Sequence, residues 1–414
     1  MQVGAAVRTA AVPVGTPMSG YAGRAGPSLG VHQATSVRAL VVDDVAIVAL
    51  DVCAVHMRTS DRVAAAVRGW AGTCVVTATH THAGPCVAFG RVGGHAAQAH
   101  ETVVEAAIAA VREAAGERVP CEVTVARATG VGVARNRRHP DRPIDPPVWR
   151  LTFRAQDRVV ADLINYPCHP VVLDAANRLI AADYPGALRD EVERAHPGSV
   201  CLFLTGAAGD VNTGHPAEAS YTESGAGERS LAEAGRVGQR IATAALAAAE
   251  RQVDVPAVAR VTRVPVRLPF ARPDAGEREA HVRMWRTQQR TADPGLARVL
   301  QTWIDWAEAG VPDDPAPWTG HVTAVDIGVP LVFLPGEPFL ATAEAIERAI
   351  GAPVLVAGYA DDVPGYLPPS HEYAHGGYEV LDAHRYYAMP APFAPGCAER
   401  VGDAAVEAIL AAQH

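Results

Sequence analysis

Residues 74–85, CVVTATHTHAGP, run an apolar stretch straight into two histidines and a Gly-Pro break. The apolar part, Cys74 to Ala78, reads as a buried strand, and Gly84-Pro85 ends it and opens a loop. Side chains two apart on an extended chain point to the same side. His80 and His82 therefore share a face at the mouth of a strand. Two imidazoles placed there can bind a metal or move protons. The plain alternative is a pair of surface histidines beside a turn.

A buried strand needs cover, and the rest of the chain offers it in a mixed order. Val37 to Asp51 predicts a hairpin turning at Asp43-Asp44, followed by a helix from about Ser60 to Trp70 and another from about Ala96 to Ala115. Strands are expected at Cys121–Arg127, Val148–Phe153, Val159–Tyr166 and Ser199–Leu204, with the basic loop ARNRRHPDRP after the first and the loop GAAGDVNTG after the last. An Ala-rich helix is expected over Ala232–Gln252. GHVTAVDIGVPLVFLPGEPF predicts two more strands, then come a helix to about Ile350, a strand in PVLVAGYADD and a C-terminal helix ending at His414. Hairpins mixed with crossover helices imply an α/β fold, a layered sandwich of mixed β-sheets flanked by helices. Residues 270–318 differ. They are polar, helical and rich in arginine, and carry Trp285, Trp303 and Trp306. They read as a helical insertion that caps a site, or as a peripheral hairpin with its tryptophans in the core. No linker cuts the chain, so a single domain over 1–414 is expected.

Composition excludes several classes. A formal charge of −9, with no basic run, argues against a nucleic-acid partner. The 36 basic residues are all arginine, so Schiff-base, pyridoxal-phosphate and P-loop lysines are ruled out. That bias, with abundant Ala, Gly, Pro and Val, fits a GC-rich bacterial genome. No stretch of about 18 apolar residues predicts a membrane span. The N-terminus lacks the charged and apolar regions of a secretory signal, and the 7 cysteines form no CxxC pair. A cytoplasmic protein with free thiols is expected.

Four stretches put metal-competent groups at predicted strand ends, where sites on α/β sheets collect. They carry His80 and His82, His169 in INYPCHPVVL, Glu337 in VFLPGEPF, and Tyr366 in GYADDVPGYLPP. Taken alone, His169 reads as a core histidine and Glu337 as a carboxylate at a helix N-terminus. Taken together, two imidazoles, a carboxylate and a phenol oxygen suit Zn2+, and an open coordination position would hold water as a hydroxide nucleophile near neutral pH. Asp51, Asp183 and Asp210 are candidates for orienting histidines or for capping and turn bonding.

The opening VGAAVRTAAVPVGTPMSGYAGR, ATHTHAGP, Asn136-Arg137 in ARNRR, NYPCHPVVL with NRLIAADYPG, GAAGDVN, PGE and GYLPPSHEYAHGGYE follow one another in the order of a known family. In these stretches the chain resembles the catalytic domain of the neutral/alkaline non-lysosomal ceramidases, over nearly its whole length apart from 270–318. The resemblance implies zinc held by His80, His169, Glu337 and Tyr366. It implies that His82 lies in the catalytic centre and that Arg137 and Tyr378 contact the scissile carbonyl, where donors stabilise a developing oxyanion.

The chain also departs from that family. Ceramidases carry a serine in a GDVS stretch; here Asn212 stands in its place, able to hydrogen-bond substrate but not to act as a hydroxyl nucleophile. The C-terminal β-sandwich domain and the signal peptide of the family are expected to be missing. The expectation is therefore a zinc amidohydrolase that cleaves a linear N-acyl amide of a small or specialised metabolite by zinc-hydroxide attack. Ester cleavage, acyl transfer or cyclisation at the same centre is the enzymatic alternative, and a non-catalytic scaffold is the third. The expected partner is a small amide or acyl substrate, and the sequence allows a homo-oligomer.

Overall fold

The computed structural model describes residues 1–91, 94–223, 228–272, 275–312 and 314–413. The predicted α/β sandwich is present, built from three mixed sheets. The first holds β1 (Gln2–Ala10), β2 (Thr35–Val42), β3 (Val45–Leu50) and β4 (Thr73–Ala78), in the order β4-β3-β2-β1, with the two-residue strand Val119–Pro120 beyond β1. The second holds β5 (Glu122–Ala128), β6 (Val148–Ala155), β7 (Arg158–Tyr166) and β8 (Val200–Thr205), in the order β8-β7-β6-β5, with the two-residue strand Arg251–Gln252 beyond β5. The third holds β9 (Arg260–Leu268), β10 (Trp318–Asp326), β11 (Pro330–Phe333) and β12 (Leu355–Ala357), in chain order. Each sheet is antiparallel except for one edge pair. Those parallel pairs, β3 with β4, β7 with β8 and β11 with β12, each need a crossover.

The helices α1 (Met57–Val67), α3 (Tyr184–Ala195) and α7 (Leu340–Ile350) lie in those crossovers, and α2 (Ala97–Gly116), α4 (Leu231–Ala247) and α8 (Cys397–Gln413) complete the outer cover. Alternation along the strands divides the core. Leu40, Ile47 and Val75 face inward onto Leu151, Leu163 and Leu202 of the second sheet and Val325, Leu331 and Leu355 of the third. Their neighbours Val41, Val48 and Val76 face outward onto Val63 of α1 and Val103 and Val111 of α2. With both faces covered, the strands read as unbroken apolar runs such as VAIVAL.

Three elements lie outside the sequence expectation. β1 is antiparallel to β2, with Val3 opposite Val42. α3 starts on Asp183, whose side chain accepts from the Tyr184 amide, with Pro185 in the first turn. β9 alternates buried and exposed positions and pairs with β10 along its whole length. The strand expected in PVLVAGYADD shortens to Leu355–Ala357. The predicted helix end at His414 falls outside the described residues. Within 270–318, α5 (Ala275–Gln289) and α6 (Pro294–Glu308) form a helix pair between β9 and β10. Residues 273–274 and 313 of that segment also lie outside the described residues. No helix among the described residues is long and apolar enough to cross a membrane.

Candidate metal centre

All three parallel pairs run their carboxyl ends toward one place, as open α/β sheets do at their sites. β4 delivers His80 and His82, β7 delivers His169, β8 leads into the 206–212 loop, β11 leads to Glu337, and β12 leads to Tyr359 and Tyr366. Glu337 is not at a helix N-terminus. It lies in a two-residue strand, parallel to and in register with Tyr366. His80 sits at φ 65°, a left-handed conformation that costs a non-glycine residue roughly 1–2 kcal/mol. It is held there by the bond from its amide to Val52 O, 3.0 Å.

The histidines are oriented by backbone carbonyls. His80 Nδ1 lies 2.6 Å from Cys53 O, and His169 Nδ1 lies 2.6 Å from Ala208 O. A carbonyl only accepts, so both Nδ1 atoms carry the hydrogen and both Nε2 atoms keep a lone pair for a ligand. His169 Nε2 is 3.0 Å and His80 Nε2 3.3 Å from the same oxygen, Glu337 Oε2. The Tyr366 hydroxyl is 3.4 Å from His169 Nε2. The donor atoms of His80, His169 and Glu337 lie within 4.8 Å of one another, and all three residues are buried. Cys53 forms a second group with His80 and His82. Its thiol lies 3.8 Å from His80 Nδ1, the nitrogen already committed to a carbonyl, so the group with Glu337 is the better metal cradle.

Electrostatics fit a cation at this point. Burial works against ionisation of Glu337, but His80 and His169 hold its pKa well below the usual carboxylate range. Burial also opposes charge on His80, yet Glu337 and Cys53 push its pKa up to about 10. Burial, with Arg137 nearby, takes His169 down to about 4. The carboxylate thus draws one positive charge into the cluster, and in the metal-free chain a proton on His80 supplies it. Two imidazole nitrogens and a carboxylate oxygen are the ligand chemistry of zinc, so the residues present fit that ion.

His82 stands apart from this group. It is half-buried, its Nε2 lies 3.2 Å from His80 Nε2, and its Nδ1 has no partner. Burial, together with His80 and His169, holds its pKa well below the ordinary histidine value, so the ring is neutral at pH 7. Its ring lies against Gly20, where φ is 100° and a Cβ would come within 2.5 Å of His82 Cγ. Only glycine suits that place.

His82, Tyr366 and Tyr378 line one cavity of about 40 Å3, with Cys53, Tyr221 and Val299 among the other wall residues. Val299 comes from α6, which thus contributes to the cavity wall. None of Trp285, Trp303 and Trp306 is in the cavity wall. Trp285 and Trp303 pack with Val299, Leu300 and Ile304 in a cluster of their own. Trp303 also donates to the Tyr386 hydroxyl, and Trp306 to Met389 O, both at 2.8 Å. Arg385 lies over all three tryptophan rings, 4.8–5.6 Å from their centroids.

The other candidates are placed as follows. Arg137 is buried outside the cavity wall and reaches the site through the Tyr366 hydroxyl, 3.0 Å from Nη2; its Nε donates to Glu379 at 2.8 Å. Tyr378 packs its ring 5.7 Å from that of Tyr366. Asn212 uses both ends of its amide on its own turn. Oδ1 accepts from the amides of Gly214 and His215, and Nδ2 donates to His215 O. Asp51 forms a buried bidentate pair with Arg189 at 2.7 Å, Asp183 caps α3, and Asp210 accepts from Asn136 and from the Leu340 amide. All three shape the surrounding loops, and the histidines are oriented by carbonyls instead.

Tyr387 is absent from the sequence reading, yet its hydroxyl donates to Glu337 Oε1. The Tyr-Tyr pair at 386–387 lies in no motif that would single it out. The string HEYAH, by contrast, resembles a metal motif but forms none. His371 and His375 lie on a 3-10 helix, where positions four apart point about 120° apart. Glu372 between them pairs with Arg138 at 2.9 Å and with His139 at 2.9 Å.

This last pairing carries a pH prediction. Burial opposes the charge on Glu372, but Arg138 and His139 hold its pKa below the usual range. A carboxylate depressed on folding stabilises above its unfolded pKa, about 4.3, and loses that contribution as pH falls through the folded value. Glu372→Gln should therefore melt roughly 2–5 °C lower than the wild type at pH 7, with the gap closing below about pH 4. Thermal melts across pH 3–7 check this, and a gap that does not change with pH excludes it.

A sequence profile described as neutral/alkaline non-lysosomal ceramidase, N-terminal, matches residues 2–213. Among solved structures, one described as a ceramidase complexed with C2 superposes with a TM-score of 0.77 and 18% identity, covering 100% of this chain and 75% of that one. The neutral ceramidase from Pseudomonas aeruginosa superposes with a TM-score of 0.72 and 18% identity, covering 98% and 74%. No curated protein sequence matches. The profile spans more than half of the chain and takes in the strand ends that carry His80, His82 and His169, and the two structures share its fold: the chain belongs to the neutral/alkaline non-lysosomal ceramidase family.

Proposed function

We propose that the chain is a zinc-dependent amidohydrolase domain that cleaves a linear N-acyl amide of a small or specialised metabolite. The observation that carries this reading is the buried convergence of His80, His169 and Glu337 beside a neutral His82 that faces a cavity. His80, His169, Glu337 and Tyr366 would hold the ion. Zinc, when bound, supplies Lewis acidity toward a carbonyl oxygen and lowers the pKa of water to about 7.

The chain's own groups do the rest. His82, neutral and with Nδ1 unpartnered, takes a proton from the nucleophile and returns it to the leaving amine. Arg137 fixes the Tyr366 hydroxyl, and the Tyr378 hydroxyl in the cavity wall donates to the developing oxyanion. Asn212 acts by holding the 212–215 turn. Val299 of α6 and Tyr221 form part of the cavity wall.

Asn212, where the family carries a serine, turns its amide onto its own loop and offers no hydroxyl to a ceramide head group, which favours a different, smaller substrate. Short N-acyl amides should be hydrolysed at least about 100-fold faster, by kcat/KM, than long-chain ceramide. A panel graded in acyl length, with matched esters, measures this. Faster cleavage of the ceramide overturns the small-substrate part of the proposal, and cleavage of esters alone moves the assignment to an esterase.

A further inference from the structure

The cavity wall contains one permanent charge that the reaction above does not use. Arg91 lines it together with His82, Cys53 and Tyr366, and is 8% exposed. No carboxylate is among the described wall residues. Arg91 Nη1 donates to Tyr387 O at 2.8 Å, with Phe89 O at 3.5 Å, and Nη2 donates to Val363 O at 2.6 Å. Nε has no partner. A guanidinium offers five N–H donors, so these carbonyls leave donors over. They orient the group without neutralising it. The nearest carboxylate, Asp362, is 3.8 Å away, and its oxygens already accept from the Val363 amide and Trp318 Nε1.

A buried guanidinium with spare donors, whose one counter-ion Asp362 pairs with it at 3.8 Å without a hydrogen bond, suits a planar anion that can take two N–H groups at once, as a carboxylate does. Its position is also fixed relative to the metal cluster. Tyr387 accepts from Arg91 through its carbonyl and donates to Glu337 through its hydroxyl. One residue therefore sets the span between the charge and the metal ligands.

We infer that Arg91 receives an anionic group of the substrate, so that the amide cleaved carries a carboxylate a few bonds from its scissile carbonyl. This rests on the amidohydrolase reading. On the amine side such a substrate resembles an N-acyl amino acid, and on the acyl side a dicarboxylic monoamide.

The test uses calorimetric titration of the zinc-supplemented full chain with two acids, N-acetylglycine and succinamate, and their neutral counterparts, N-acetylethanolamine and butyramide. The wild type should bind at least one acid about tenfold more tightly than its neutral counterpart. Arg91→Gln should bring the pair within about twofold with zinc content unchanged. Arg91→Lys, which keeps a cation but not the fork, should retain only part of the preference and serves if the glutamine variant does not fold. No preference in the wild type overturns the inference. So does a preference that survives fully in either variant, because the acid is then held elsewhere. Zinc content and cleavage of neutral amides are read in parallel. A protein that holds zinc and cleaves amides without favouring acids rejects Arg91 as receptor and leaves the amidohydrolase reading standing. One that favours acids but cleaves no amide rejects that reading instead.

Discussion

Glu337→Ala should bring zinc content from about one ion per chain to less than about a tenth of that, measured by elemental analysis after zinc reconstitution and desalting. Glu337 is the only carboxylate in the His80–His169–Glu337 group, and one of its oxygens lies within 3.3 Å of both imidazoles. Removing it leaves two buried nitrogens with no negative charge to offset a dication, and leaves the Tyr387 hydroxyl without its acceptor. His80→Ala should do the same by removing the one imidazole that touches both Glu337 and His82. Zinc should also raise the wild-type melting temperature and a chelator should lower it, since an ion bound only by the folded chain stabilises it; the Glu337→Ala melt should respond to neither. A wild type that remains zinc-free after reconstitution would remove the basis of the metal reading.

His82→Ala should keep its zinc and lose catalysis by at least about 100-fold in kcat, the scale of a positioned acid–base group. The two imidazoles of the His80-Thr81-His82 stretch have opposite environments. His80 is drawn toward positive charge by Glu337, whereas His82 is driven neutral by burial and by the two other histidines. His82 alone of the three lines the cavity. If this variant loses zinc as completely as His80→Ala, the proton-transfer role is wrong and His82 is a ligand. If it keeps the full rate, neither role holds.

Local signals located the metal-competent residues well. An apolar run followed by a polar stretch marks a strand end wherever it occurs, which is why Cys74–Ala78 and the runs before His169 and Glu337 were legible. Partnership is another matter. Glu337 reads as a helix-start carboxylate until the backbone pairing sets it opposite Tyr366. Asp51 could orient a histidine until Arg189, 138 residues away, claims both of its oxygens. Orienting the histidines falls to the carbonyls of Cys53 and Ala208, and every residue has a carbonyl, so no side-chain pattern can announce it. Tyr387 and Arg91 are hidden for a similar reason. Each draws its meaning from a contact made hundreds of residues away in sequence or from a cavity wall. β1 carries no clear strand signal because burial alternates irregularly along QVGAAVRTA.

The three parallel strand pairs have a consequence for how such a centre can change. Each sheet brings its own share of ligands to a common edge, so no sheet carries the set. A sequence change inside one sheet shears that share against the other two and leaves each share internally intact. The apolar seam that holds Leu40, Leu163 and Leu331 in one cluster therefore bears on how the three candidate ligands are placed relative to one another. Drift in that seam would shift His80, His169 and Glu337 relative to one another while all three remained in the sequence, so geometry has to be checked as well as residue identity.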